Sequence, residues 1–321
     1  MNLLDTVAVA SRSFSKNQSL VHALEDKYSK VIFNNTGETL QAQELVNFLS
    51  SADKAIIGIE QISAEVLDQL PKLKVISKYG VGINNLNLAS MKSKGVKLGF
   101  TPGVNKQSVA ELALTLMLLS LRKIHRNHNE IVEGIWSQEK GVELFGKTVG
   151  LLGFGNIGQK LASILKSFDC QIIFFDEKIF SSQELLRISK ELGFKSDSIQ
   201  QDGLEAVLNQ ADILSIHLPL LPDTQNMIST KQLNLLKPSV SIINTARGGI
   251  VDEFSLHAFL SNNPDAFAAF DVYAEEPALE NSLFELPNFF GTSHRSSLTH
   301  EGINAMGLAA ITGLDDNKIL T

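Results

Sequence analysis

The chain has 321 residues, 44% of them apolar and 20% charged, close to the average of soluble globular proteins. At roughly 150 residues per domain the length suggests about two domains, and the composition excludes a disordered tail, a collagen-like rod and a disulfide scaffold. A formal net charge of −7 argues against a general nucleic-acid binder. A single cysteine, Cys170, cannot close an internal disulfide, so nothing asks for an oxidising compartment.

The longest apolar stretch, residues 112–121, is interrupted by Thr115 and Ser120 and is far short of the roughly 20 residues that span a bilayer. The N-terminus carries Asp5 and no basic segment before its apolar residues, so no secretory signal is expected. A cytoplasmic protein with no membrane or nucleic-acid partner is the expectation.

In chain order, residues 6–10, 30–33, 55–59, 74–78 and 96–98 read as strands, with helical patterns between them at 19–28 and 42–51. Such alternation means a parallel sheet covered by helices. Thr101-Pro102-Gly103 breaks the pattern. Ser108 and Glu111 have capping-box spacing and open a long apolar helix to about residue 124. A second βαβ series follows, with strands at 148–153, 171–176, 213–217, 239–245, 266–272 and from 289. A last helix, 301–313, is too short to be a domain and is expected to pack back on the first one.

Residues 148–158 contain Gly153, Gly155 and Gly158 in G-x-G-x-x-G spacing between a strand and a helix at 156–168. The first glycine permits the tight turn, the second lets a pyrophosphate approach the backbone, and the third lets helix and strand pack closely. Free N–H groups at the helix start, on Asn156 and Ile157, suit phosphate. The next strand ends in Asp176, about 20 residues on, where an acid accepts from the ribose hydroxyls and repels a 2′-phosphate. NAD is therefore expected over NADP; Glu177 adds to the repulsion and Lys178 opposes it.

Three later strands end in chemically suitable residues: Arg247, Glu275-Glu276 and His294. An arginine can hold a carboxylate in a bidentate fork. A histidine can take a hydroxyl proton as hydride leaves the same carbon, and a nearby carboxylate favours the resulting imidazolium.

The ordered motifs Lys78-Tyr-Gly-Val-Gly-Ile-Asn-Asn85, Thr101-Pro-Gly-Val-Asn105, Ser108-Val-Ala-Glu111, Val149 to Gly158, His217-Leu-Pro-Leu-Leu-Pro-Asp-Thr224, Asn244-Thr-Ala-Arg-Gly-Gly249, Asp271-Val-Tyr-Ala-Glu-Glu-Pro277 and His294 cover most of the chain. With them the chain resembles the D-isomer-specific 2-hydroxyacid dehydrogenases, especially phosphoglycerate dehydrogenase-like members. The resemblance implies two doubly wound α/β domains, a Rossmann NAD domain (102–291) inserted into a flavodoxin-like substrate domain (1–101 and 292–321), with a cleft between them.

It also implies roles for residues. Arg247 binds substrate, Glu276 orients the histidine, and His294 is the acid–base. Asp271 contacts the nicotinamide carboxamide, Ser108 and Val109 line the nicotinamide side, and Leu218 and Pro219 flank the adenosine. Thr224, Thr245 and Ala246 join the cofactor set, while Tyr79 and the N–H groups of Val81 and Gly82 serve the substrate carboxylate. No metal is implied, and relatives dimerise through the region of the 108–124 helix, so a homodimer is expected.

Departures from the family pattern are Asn84 and Asn87 where aspartate is usual, and Arg295 where a hydrophobic residue is usual. Ile59-Glu60-Gln61 stands where phosphoglycerate dehydrogenases carry an arginine, and Glu60 is expected to repel a substrate phosphate. A chain ending at Thr321 is expected to lack the regulatory domain of longer relatives. The expected activity is hydride transfer between NAD and C2 of a small D-2-hydroxy acid. A glyoxylate or hydroxypyruvate reductase and an NAD-sensing module of the corepressor type are the alternatives.

Overall fold

Two runs of short apolar strands each assemble into a parallel sheet in the computed structural model, which describes residues 5–194 and 198–318. The chain divides into two compact units, Met1–Asn105 with Thr299–Thr321, and Lys106–Leu298. Residues 102–105, which the sequence reading assigned to the NAD domain, thus belong to the first unit, and residues 292–298, which it assigned to the first domain, belong to the second. For the latter the cause lies in Asp271, whose hydrogen bonds hold the segment after the last strand.

In the first unit, β1 (Val7–Val9), β2 (Val31–Phe33), β3 (Lys54–Ile57), β4 (Val75–Lys78) and β5 (Lys97–Gly99) lie in the order β2-β1-β3-β4-β5. This is the flavodoxin-like order. The helix His300–Gly313 packs on the helix Gln18–Glu25 and on β4, where the Ser77 hydroxyl donates to the Ala310 carbonyl at 2.6 Å.

The second unit holds β6 (Thr148–Leu152), β7 (Gln171–Phe175), β8 (Ile199–Gln201), β9 (Ile213–Ile216), β10 (Ser241–Asn244), β11 (Phe267–Phe270) and β12 (Phe289–Gly291). Their order, β12-β11-β10-β9-β6-β7-β8, is the Rossmann arrangement with the reversal between β6 and β9. Strands β9, β10 and β11 are buried along their whole length, as all-parallel strands covered on both faces must be.

The strands fall within a residue or two of the expected runs. Larger differences lie in the helices. The helix predicted from Ser108 begins at Lys106, so Ser108 sits inside it and no capping box forms; Glu111 instead accepts from Gln107 one turn back. That helix is also two helices. Lys106–Leu121 ends, Lys123 turns left-handed at φ 52°, and Ile124–Val132 continues in a new direction. Strand β8 and the helix Ser182–Leu192 escaped the sequence reading, the helix because its surface is mostly polar. Among the described residues no helix is long and apolar enough to cross a membrane.

Candidate active site

Ligands of open α/β sheets sit at the carboxyl ends of the strands, where the order reverses. At that point in the second unit, β6 runs into the glycine loop. Gly153 turns at φ +97°, and a Cβ there would stand 2.7 Å from the His217 carbonyl. A Cβ on Gly158 would meet the Gly153 carbonyl at 2.3 Å, so helix and strand approach too closely for any side chain. A Cβ on Gly155 would meet nothing within 4 Å. The three positions therefore divide as the sequence spacing proposed: turn, open cradle, close contact.

The helix Asn156–Leu165 starts behind this cradle with no side-chain cap on its first N–H groups, which leaves those of Asn156 and Ile157 for an anion. Asp176, at the end of β7, accepts from Phe154 N at 2.7 Å and Lys178 N at 2.9 Å. Its carboxylate is tied to the loop and retains lone pairs for a ribose. Lys178 does not neutralise it: its ammonium lies 3.0 Å from Glu184 and over the Phe180 ring.

Two buried polar atoms at neighbouring strand ends have no hydrogen-bond partner among the described residues, Thr245 Oγ1 after β10 and His217 Nδ1 after β9. Burial pushes the His217 pKa down to about 4, so its ring is neutral near pH 7, with Nε2 held by Ser215 Oγ at 2.9 Å. Orphaned buried groups are uncommon and ask for a partner. With the open cradle at Gly155, they fit a dinucleotide.

Beyond β10 the chain turns under the control of Asn244. Its carbonyl oxygen accepts from Ala246 N (3.0 Å) and its amide donates to the Arg247 carbonyl (3.0 Å). This turn presents Arg247, which donates to the Ala246 carbonyl. Burial lowers the pKa of the guanidinium from its ordinary value and nearby Glu276 opposes that shift; an arginine stays charged regardless. Glu276 Oε1 accepts from Tyr273 N at 3.1 Å, and its Oε2 lies 2.7 Å from His294 Nδ1. Arg247, Glu276 and His294 therefore form one cluster within the second unit.

Residues 114–296 match the family model for the D-isomer specific 2-hydroxyacid dehydrogenase, NAD binding domain. The chain belongs to the D-isomer specific 2-hydroxyacid dehydrogenase family. This is a family of NAD-dependent oxidoreductases, and NAD is its cofactor here. The chain is 34% identical over 271 residues to the D-3-phosphoglycerate dehydrogenase of Methanocaldococcus jannaschii, covering 84% of this chain and 50% of that one. It is 32% identical over 282 residues to the hydroxypyruvate reductase of Thermotoga maritima, covering 86% and 88%. The TT0316 protein of Thermus thermophilus superposes with a TM-score of 0.83 at 27% identity, covering 96% and 95%. The chain thus spans about half the length of that D-3-phosphoglycerate dehydrogenase and most of the length of the hydroxypyruvate reductase.

The structure shows what surrounds several residues to which the family resemblance gave roles. Asp271 has no exposed surface; its Oδ1 accepts from Thr292 Oγ1 and Arg295 N and its Oδ2 from Ser296 N. Thr224 is committed to its own turn, donating to the Pro219 carbonyl at 2.6 Å and accepting from Leu221 N at 2.8 Å. It shapes the loop that carries Leu218 and Pro219. Ser108 and Val109 are both buried on the helix Lys106–Leu121, and Ala246 is buried beside Arg247.

Glu60 is 1% exposed, turned inward to accept from Gly58 N at 2.7 Å. Lys78 holds the carbonyl of the same Gly58, and Asn85 binds both Lys78 and the Glu60 carbonyl. A carboxylate turned inward in this way is not placed to touch a ligand, so direct repulsion of a substrate phosphate by Glu60, expected from the sequence, is not what the structure shows. Tyr79 packs edge-on to Phe14, and the N–H groups of Val81 and Gly82 have no partner among the described residues.

Sequence reasoning missed Asn244, Tyr273, Thr292 and Ser296 as shapers of the site. Asn244 carried a legible signal, because an asparagine ending a strand before a turn bonds the backbone two residues on. Thr292 and Ser296 bond to Asp271, and the Tyr273 hydroxyl to the Thr292 carbonyl, across separations too long to be paired from sequence.

Proposed function

We propose that the protein transfers hydride between NAD and C2 of a small D-2-hydroxy or 2-keto acid. The observation that carries this reading is the His294–Glu276 pair at 2.7 Å, with Arg247 beside it, in the same unit as the glycine loop. A carboxylate only accepts, so Nδ1 of His294 carries the proton and Nε2 is the free base. In oxidation Nε2 takes the hydroxyl proton; in reduction it returns that proton to the keto oxygen. Arg247 binds the substrate carboxylate and polarises the keto oxygen. The unpaired N–H groups of Val81 and Gly82 support a carboxylate-binding role for the loop after β4. The bound nicotinamide supplies or accepts the hydride. Gly153, Gly155, Asn156, Ile157 and Gly158 hold its pyrophosphate, and Asp176 holds the adenosine ribose.

Within this class a reductase of hydroxypyruvate or glyoxylate is the reading to test first, supported by 32% identity to the hydroxypyruvate reductase over 86% of this chain; a phosphoglycerate dehydrogenase, the name of the relative at 34% identity, is the competing reading. NADH oxidation with hydroxypyruvate, its 3-phosphate, glyoxylate, pyruvate and branched 2-keto acids tests this. Turnover of hydroxypyruvate or glyoxylate at the highest kcat/KM supports it; preference for the 3-phosphate replaces it. Tight NADH binding without turnover of any acid identifies an NAD-sensing module instead.

A cytoplasmic homodimer completes the reading. The segment around the helix Ile124–Val132 exposes Trp136 (81%), Val132 (73%), Ile131, Ile135 and Phe145. So many large apolar side chains exposed close together in sequence support a partner surface here. A monomer by light scattering refutes the dimer.

A further inference from the structure

A non-glycine residue rarely adopts positive φ, and such residues cluster at functional sites where their surroundings hold them in place. His294 stands at φ 49° in the segment after β12. What holds it there is Asp271, at the end of the neighbouring strand β11. The Asp271 carbonyl accepts from His294 N at 2.9 Å. Its carboxylate accepts three further bonds: Oδ1 from Thr292 Oγ1 at 2.5 Å and Arg295 N at 2.8 Å, and Oδ2 from Ser296 N at 2.8 Å. All the donors come from segment 292–296, on both sides of His294. The Tyr273 hydroxyl secures the same segment from the other side, 3.0 Å from the Thr292 carbonyl.

The carboxylate is fully buried, and no cation pairs with it among the described residues. Burying an acid without a counter-charge is costly, so its retention calls for a role that an apolar residue of the same size would not fill. We propose that Asp271 is the positioning residue for His294. Its carboxylate clamps segment 292–296, fixes the left-handed backbone at His294, and so aims Nδ1 at Glu276 and leaves Nε2 free to exchange a proton with substrate. The inference rests on the reading of His294 as the acid–base.

The test compares Asp271→Asn, Thr292→Val and Thr292→Ser with the unaltered protein. Three readouts are taken: NADH affinity by fluorescence titration, kcat and KM with hydroxypyruvate and glyoxylate, and ring 15N shifts of His294 in the free protein. The His294 signals are assigned by their absence from a His294→Gln variant. Asparagine retains one acceptor but sets an NH2 group against a backbone N–H, so Asp271→Asn is expected to lower kcat/KM about 30-fold, the equivalent of one bond to a charged group. The fall should lie in kcat, with NADH affinity within about threefold and the His294 ring moving away from its Nδ1–H form. Thr292→Val should lose less, and Thr292→Ser should restore what Thr292→Val loses.

If Asp271→Asn weakens NADH more than about tenfold and leaves the His294 ring signals unchanged, Asp271 is a cofactor contact and the proposal is wrong. It is also wrong if kcat and ring signals are both unaltered. Should Asp271→Asn fail to fold, Thr292→Val decides by the same readouts. The ring signals need no substrate. If the unaltered protein turns over neither acid, the activity reading has failed while the clamp is still judged by the tautomer.

Discussion

Both units bury charge at a strand end, but at opposite ends and with different partners. In the first, Lys54 begins β3 and is nearly enclosed, with Asp315 at 2.7 Å, Asp5 at 3.2 Å and the Tyr28 hydroxyl at 3.2 Å, and Lys27 lies 2.8 Å from Asp315. Every charge there has an opposite charge in reach, and the network ties the segment after the last helix to the sheet. In the second, Asp271 ends β11 with hydrogen-bond donors only, and the segment it grips carries His294. The amino-end cluster is charge-balanced and has no chemistry beside it. The carboxyl-end group is unbalanced and adjoins the His294–Glu276 pair. The two tasks thus fall at opposite strand ends: the amino-end cluster ties elements of the first unit together, and the carboxyl-end group holds the segment that carries the proposed acid–base.

That contrast breaks if chemistry depends on the first cluster or if His294 is needed for stability. The largest expected effect is on turnover: His294→Ala should lower kcat by about 10³-fold while NADH titration and the melting curve stay near the original. Arg247→Lys should lower kcat/KM with 2-keto acids by about 10²-fold, because an ammonium cannot make the bidentate fork; unchanged kinetics would remove Arg247 from the site. Asp176→Ala should weaken NADH by about tenfold and narrow its advantage over NADPH, read by titration with both. Unaltered selectivity would reject the ribose assignment.

The smallest effect on activity should come from Asp315→Asn, which should leave kcat unchanged and cost about 1–2 kcal/mol of stability, modest because Asp315 is partly exposed. The sign with pH follows from its pKa. Burial pushes the Asp315 carboxyl up, but bonds from Lys27, Lys54 and Tyr28 outweigh it and hold the carboxyl well below its ordinary value. A group lowered on folding stabilises above its unfolded pKa and loses that contribution as pH falls through the folded one. The melting difference between Asp315→Asn and the original should therefore be full at pH 7 and shrink below about pH 4. A difference that grows in acid contradicts the assignment.

Much of the fold was legible because its signals are local. Apolar runs bounded by breakers place the strands, and the glycine spacing encodes its own geometry: Gly153 and Gly158 are crowded against backbone while Gly155 is open. Arg247, Glu276 and His294 were legible as motif residues following strands. The break at Lys123 was not, because the apolar pattern runs through it and only packing decides where the chain bends. Glu60 was misread for a related reason. A charge in a loop reads as exposed until the Gly58 N–H and the buried Lys78 are seen around it.

The sequence by itself determined the two parallel sheets, the glycine loop of the NAD-binding domain and which ionisable residue types follow the strands. These depend on neighbours within a few positions, or on alternation that repeats along the chain. The tertiary structure alone decided what each polar side chain faces. Asp271 reaches segment 292–296 only because β11 and β12 pair side by side, and Lys54 meets Asp315 only because the last helix packs back onto the first sheet. A buried polar group must find its partner wherever the fold supplies one, and sequence distance carries no record of that choice.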